Sequence, residues 1–375
     1  MKIIKIKEGS AEILVPEETL KKPYTAVDVF YNPRMRINRD ISVLVLQAHK
    51  NIVGRKLKIL DAMAATGIRS IRFLKETDAV EEIIINDLNP KAVEFIKRNL
   101  EINKIEINEK IRVENKDCLE IMLKEKFDYI EIDPYGTPVP FLDLAVRSLR
   151  RGGILSVTAT DVAALTGARE KALRRKYQVI GFKTDFFYEF GLRVLAKKII
   201  EIGAQYDFAL VPIFGYYKEH HYKIFFVKKG SQKLANELLE NIRFISYCEK
   251  CMYREIDVNT KCKVCGSSMK ILGPIYTGPL WDEKYVNEML RIDNPYISEE
   301  TRELLNKIKE EMKFKTPWYY DLRFFAKKYK YKELKKIEYY LQKLEGVRTH
   351  FSNLGIKTDK DPYDVIKILS EEAIK

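Results

Sequence analysis

Lys56-Leu57-Lys58-Ile59-Leu60-Asp61-Ala62-Met63-Ala64-Ala65-Thr66-Gly67 decides the fold. Leu57, Ile59 and Leu60 make a short apolar strand that ends on an acid. Small residues then carry the chain through a turn into a helix, Ile68 to Glu76. The same strand–acid–turn–helix unit recurs downstream. Ile83-Ile84-Ile85-Asn86-Asp87 is a second buried strand, and Asn89 and Pro90 cap and open a helix over Lys91 to Leu100. Lys110 to Glu114 is a third strand, with Asp117 and Cys118 beyond it. Phe127 to Ile132 is a fourth, ending at Asp133. A helix over Phe141 to Leu149, stopped by Gly152-Gly153, leads into a fifth strand, Ile154 to Thr160.

Strands separated by helices of about ten residues imply a parallel sheet covered on both faces. Tyr206 to Phe214 and Tyr222 to Lys228 are two more strands, joined by the turn region Gly215 to His221. So short a link predicts an antiparallel hairpin at the sheet edge, with His220-His221 as surface residues in its turn. The expected class is therefore α/β: a Rossmann-like class I methyltransferase sheet over residues 1–230. A second, α+β domain is expected over residues 231–375.

The chain has 375 residues, enough for two domains. Lysine and arginine exceed the acids by 67 − 54 = 13, and the pI is near 9.2. That excess favours a polyanionic partner, nucleic acid before membrane. No apolar run approaches the roughly 18 residues a membrane span needs. Ile3, Ile4 and Ile6 alternate with Lys2, Lys5 and Lys7, which reads as a first strand and not as a signal peptide. The cysteine usage and the missing signal point to the cytoplasm. No obligate protein partner is evident.

Asp61 to Gly67 occupies the first strand-to-helix turn, where doubly wound sheets bind ligands. A dinucleotide fingerprint needs three glycines there, and only Gly67 is present. A cofactor without phosphates, S-adenosylmethionine, fits better. Asp87, 26 residues after Asp61, is placed to bind ribose hydroxyls. Asp117 and Cys118 are placed to meet the adenine, with Cys118 as a small packing residue.

Ile132-Asp133-Pro134-Tyr135-Gly136 supplies the chemistry. An acid, a fixed backbone and an aromatic ring at a strand end suit the exocyclic amine of a nucleobase. Asp133 and the Pro134 carbonyl would accept its N–H bonds, orienting nitrogen and stabilising developing positive charge. Asp133 could also take the released proton. Tyr135 would stack on the base, which must leave any helix to react. Upstream, Val29 to Asp40 is rich in aromatic, turn and basic residues. Phe30 could form the second wall of a base sandwich and Arg39 could pair with the cofactor carboxylate.

Together these segments resemble the tRNA guanine-26 N2-dimethyltransferase family. The likeness is carried by Phe30-Tyr31-Asn32-Pro33 with Arg39-Asp40, Asp61 to Arg69, and Asn86-Asp87. It continues through Asp133 to Pro138, Thr158-Ala159-Thr160-Asp161, Arg348 to Ser352 and Gly355 to Thr358. The resemblance implies transfer of one or two methyl groups to N2 of guanine-26. It implies cofactor contacts at Arg39, Arg69, Asp87, Asp117 and Cys118, the guanine edge on Asp133, and the ring between Phe30 and Tyr135. The family often has Phe where this chain has Tyr135. Two other readings compete: an amino-methyltransferase acting on adenine or a different tRNA guanine, and a catalytically silent zinc-ribbon RNA-binding protein.

Cys248-x-x-Cys251 and Cys262-x-x-Cys265, ten residues apart, read as a closed, structural four-thiolate Zn2+ site. Ile337, Tyr340, Leu341 and Leu344 share one helical face, with Lys335, Lys336 and Lys343 on others. Followed by a strand-turn-strand wing over Gly346 to Thr358, this segment resembles a winged-helix module. His350, Lys357, Lys335 and Lys336 are its expected phosphate contacts. A basic run, Arg169, Lys171, Arg174, Arg175 and Lys176, lies in the unusually long crossover between Val162 and Gln205.

Overall fold

A computed structural model describes residues 2–21 and 29–372. Its core is a seven-stranded sheet, and two strands precede that sheet. β1 (Ile3–Glu8) and β2 (Ala11–Pro16) form a separate antiparallel hairpin, with Glu8 opposite Ala11 at its tip. The main sheet comprises β3 (Leu57–Asp61), β4 (Val80–Asn86), β5 (Ile111–Glu114), β6 (Phe127–Ile132), β7 (Leu149–Ala159), β8 (Ala209–Lys218) and β9 (His221–Lys229). Its order is β5-β4-β3-β6-β7-β9-β8. Pairing is parallel from β5 through β7. All six residues of β6 are buried, as a strand covered on both faces requires. Order reverses between β3 and β6, and ligands bind at such a switch point, outside the carboxyl ends of the strands.

Two local expectations are corrected. Gly152-Gly153 does not stop a helix. The helix Val139–Ser148 runs directly into β7, and both glycines lie inside that strand. The register shifts beside them, and a Cβ on Gly153 would stand 2.8 Å from the Asp128 carbonyl oxygen. Glycine is used there for close backbone approach. The late hairpin turns on Glu219 and His220 alone, a two-residue link that only antiparallel strands can share. His221 is the buried first residue of β9, edge-on to Tyr216, and not a surface residue.

The chain groups into two compact units: Met1–Ala159 with Phe225–Gly230 and Asp282–Leu305, and Thr160–Ile224 with Ser231–Trp281 and Asn306–Lys375. In the first, the helix Arg36–Val53 contributes a largely buried face and ends on left-handed Gly54. Its Asp40 accepts from the Ser298 amide (2.9 Å) and the Thr301 hydroxyl (2.9 Å), so a segment far along the chain is pinned to it.

In the second unit, β10 (Ile242–Tyr247), β11 (Arg254–Ile256) and β12 (Lys270–Tyr276) form an antiparallel sheet ordered β11-β10-β12, which frames the cysteine loops. β13 (Tyr320–Asp321), β14 (Val347–Arg348) and β15 (Gly355–Lys357) make a second small sheet. The helix Ile337–Leu344 precedes the strands Val347–Arg348 and Gly355–Lys357 in the expected helix-then-wing order, and a further helix, Leu322–Tyr329, lies before it. Ile337, Tyr340 and Leu344 are buried on the predicted face.

The wing does not present His350 or Lys357 to phosphate. The Lys357 side chain is fully buried against Glu189, and the His350 ring lies 2.7 Å from Glu311. Both are internal partners of buried acids, because a carboxylate in the interior must be paired. Lys335 and Lys336 are both exposed, and Lys335 is tied to Glu372 at 3.0 Å.

Candidate active site and metal centre

The carboxyl ends of β3, β4 and β6 assemble the site. Gly67 takes φ +77°, and a Cβ there would crowd Ile96 at 3.3 Å. This lets the turn after β3 enter the helix Ile68–Glu76 tightly. The turn is fastened to the end of β4. The Ala64 amide donates to the Asn86 carbonyl (2.8 Å), the Ala65 amide to Asp87 Oδ2 (2.8 Å), and the Asn86 side chain to the Ala62 carbonyl (3.0 Å).

Asp61 is buried and accepts from the Ser70 hydroxyl (2.7 Å). Burial pushes its carboxyl up to about 6, with Arg69 opposing and Glu131 and Asp133 reinforcing the rise. Arg69, the second residue of the following helix, is the hub. Its Nη1 donates to Asn38 Oδ1 (2.7 Å) and Ser42 Oγ (2.8 Å) and lies 3.4 Å from Glu131. Its Nη2 donates to Asp133. Burial acts to lower the Arg69 pKa, but the surrounding carboxylates raise it above the ordinary value. Three carboxylates therefore surround one guanidinium. A surplus of negative charge in a buried site suits a cationic ligand.

Asp133 keeps part of its side chain open to solvent, Pro134 is buried, and Tyr135 is 84% exposed. Gly136 follows at φ +97°, a conformation that lets the chain turn away immediately. The ring of Tyr135 thus stands out from the carboxyl end of β6, as a stacking platform must.

Asp87 is half-buried and spends its oxygens on the Ala65 and Asn89 amides. Asp117 is an exposed helix cap, accepting from the Leu119 amide (2.9 Å). Cys118 is buried, and burial pushes its thiol up to about 12, so it is a packing residue and not a nucleophile. Leu88, absent from the sequence reading, is 70% exposed beside Asp87. An apolar side chain held open at a strand end offers a surface to a flat ring.

Phe30 is half-buried, next to the fully packed Val29. Asn32 caps the short helix Pro33–Met35 through the Arg34 amide (3.0 Å). The structure gives Arg39 a carboxylate, but it is that of Glu8. Arg39 donates to Glu8 at 2.7 and 2.6 Å and to the Asn32 carbonyl at 3.0 Å. Tyr31 donates to the same Glu8 (2.8 Å), and Arg72 adds a contact at 3.2 Å. Glu8, Asn38, Ser42, Arg72 and Glu131 were all missed by the sequence reading. The one available signal was the pair of acids, Asp128 and Glu131, inside a strand whose other residues are apolar or aromatic.

The thiols of Cys248, Cys251, Cys262 and Cys265 lie within 4.8 Å of one another. Cys248 and Cys265 are 3.6 Å apart, Cys251 and Cys262 3.5 Å. Four sulfurs at about 2.3 Å from a tetrahedral zinc would stand about 3.8 Å apart. The four cysteines are therefore positioned to bind a metal ion, and Gly266 at φ +68° allows the second loop to close. No helix is long and apolar enough to cross a membrane among the described residues.

Residues 9–370 match the model of a family described as N2,N2-dimethylguanosine tRNA methyltransferase. A tRNA (guanine(26)-N(2)/guanine(27)-N(2))-dimethyltransferase of Aquifex aeolicus is 40% identical over 376 residues, covering 98% of this chain and 95% of that protein. A tRNA (guanine(26)-N(2))-dimethyltransferase of Saccharolobus solfataricus is 36% identical, covering 98% and 99%. Among solved structures, Trm1 from Pyrococcus horikoshii in complex with S-adenosyl-L-methionine superposes with a TM-score of 0.84 at 35% identity, covering 98% of this chain and 99% of that one.

Proposed function

This chain belongs to the N2,N2-dimethylguanosine tRNA methyltransferase family, and from that premise we propose that it transfers methyl groups from S-adenosylmethionine to N2 of guanine-26 in tRNA. The observation that carries the reading is Asp133, partly open to solvent at the end of β6 and held by Arg69, with the exposed Tyr135 two residues on.

S-adenosylmethionine, when bound, supplies an electrophilic sulfonium methyl. Asp61, Arg69, Asp87, Asp117 and Cys118 would hold it, and the negative surplus around Arg69 fits its cationic groups. The amine is the harder partner, because its lone pair is shared with the purine ring. Asp133 and the Pro134 carbonyl accept its N–H bonds and orient nitrogen for in-line attack. Asp133 meets the positive charge that develops there and takes the proton. Tyr135 and Phe30 stack on the extruded ring. Arg39 serves the site indirectly, by fixing the loop that carries Phe30.

Residues 1–230 form the methyl-transferring part in this reading, and residues 231–375 hold one structural zinc and contact tRNA. A cytoplasmic location follows from the substrate. The test is incubation with an unmodified tRNA transcript and methyl-labelled S-adenosylmethionine, followed by nucleoside mapping. Label is expected on N2 of guanine-26. Position 27 is mapped alongside it, because the Aquifex relative is named for both. Label on adenine, or no label in tRNA, would refute the reading.

A further inference from the structure

The long crossover after β7 carries a basic helix that methyl transfer does not require. Glu170–Tyr177 is an eight-residue helix, preceded by Arg169. Leu173 and Tyr177 are its buried face. Lys171, Arg174 and Arg175 lie at i, i+3 and i+4 and are exposed, as is Arg169. None of these four has an acidic partner among the described residues. Several other cations near the strand ends of the main sheet are paired: Lys58 with Glu82 and Glu125, Arg112 with Glu125, and Lys116 with Glu114. The helix bears one acid, Glu170.

The helix is also anchored. Asp161 stands two residues beyond the end of β7. One of its oxygens accepts from Lys176 Nζ (3.0 Å), the other from the Tyr177 hydroxyl (2.9 Å). A solvated charge run kept only for solubility would need no such tether. The anchor consumes Lys176 and leaves the other cations facing outward.

We propose that Arg169, Lys171, Arg174 and Arg175 form a clamp for the tRNA phosphate backbone, and that Asp161 is the positioning residue that fixes the clamp. The proposal rests on the tRNA reading above and adds a surface to it. Guanidinium forks and an ammonium on one turn-spaced face match successive phosphates. They carry no base code, so they set register and affinity, not sequence choice.

The experiment compares the full-length protein with K171E/R174E/R175E. All three changes are exposed, so thermal unfolding and S-adenosylmethionine affinity should stay at the wild-type value. The Kd for tRNA should rise at least tenfold, equally for tRNAs of different sequence. The plot of log binding constant against log salt should become shallower by about 2 to 3, at roughly 0.7–0.9 for each phosphate no longer neutralised. D161N, which loosens the anchor but keeps the clamp cations, should raise Kd by a smaller factor in the same direction. Unchanged tRNA affinity and salt slope in the triple variant would overturn the clamp. So would loss of binding to anionic lipid vesicles with tRNA binding intact. If the wild-type chain itself fails to methylate tRNA, the broader reading fails instead, and the two failures are told apart because one is read from tRNA binding and the other from methyl transfer.

Discussion

Arg69 donates to Asp133 at the end of β6, the strand beside β3 in the sheet, and Glu131 lies 3.4 Å from the same guanidinium. The residue proposed to grip the substrate amine is thus held by one proposed to touch the cofactor. Asp133→Ala should abolish methyl transfer while leaving S-adenosylmethionine affinity within about threefold, because the hub keeps Glu131 and Asp61 as its acids. Arg69→Ala should do more damage. Buried Glu131 and Asp61 would lose their counter-ion, at about 3–5 kcal/mol of stability. Urea unfolding of both variants checks the difference. Retained turnover in Asp133→Ala would remove it from the mechanism.

Glu8 and Asp61 titrate in opposite directions. Burial would raise Glu8, but Arg39 and Arg72 outweigh it and hold the carboxyl down to about 2, against 4.5 for free glutamate. A depressed acid stabilises the fold above its unfolded value, and the contribution is lost as pH falls from 4.5 toward 2. The linked amount is about 3 kcal/mol. Asp61, pushed up to about 6 from 3.8, does the reverse. Its protonated form is favoured in the fold, and that advantage disappears as pH rises through 6. Asp61→Asn should therefore be more stable than wild type at pH 8, by about 3 kcal/mol, with the gain vanishing below pH 4. It should also bind S-adenosylmethionine more weakly. Glu8→Gln should be less stable at neutral pH and converge on wild type near pH 2. Denaturation curves across pH 2–8 test both signs.

Lys357 separates a structural cation from an RNA-binding one. Its ammonium is buried with Glu189, which also accepts from Arg193 at 2.8 Å. Lys357→Ala should cost about 3–5 kcal/mol by leaving that acid short of a partner. The salt dependence of tRNA binding should stay at wild type, because no phosphate contact is removed. A shallower salt slope at unchanged stability would show that Lys357 reaches the RNA after all.

The parallel sheet was legible because β3, β4 and β6 are short, mostly apolar runs closed or followed by an acid or amide, and period and length alone mark such runs. Asp61, Asp87 and Asp133 fell at strand ends for the same reason. The Arg69 hub was not legible. It joins Asn38 and Ser42 of one helix to Glu131 and Asp133 of β6, and no local pattern encodes which buried acid meets which arginine. Arg39 shows the same limit: its carboxylate partner comes from the tip of a hairpin some 31 residues upstream. Lys357 and His350 misled because charge in a sequence reads as surface until burial is known.

The cysteine cluster gives the sharpest test of a part played outside the chemistry. Four thiols within 4.8 Å of each other have no open ligand position once a tetrahedral ion is bound. Purified protein should hold about one zinc per chain by elemental analysis. Cys251→Ser should lower that content and the unfolding temperature together, since binding of the metal only to the folded loops stabilises them. Arg254, three residues past Cys251, is buried and paired with Asp185 at 2.7 and 2.8 Å. Loss of metal should therefore loosen β11 first, seen as faster amide exchange across Arg254–Ile256. S-adenosylmethionine affinity should be unaffected, because no cysteine of the cluster belongs to the strand ends that form its site. A fully folded, metal-free wild-type protein with the same melting temperature would remove the metal from the structure.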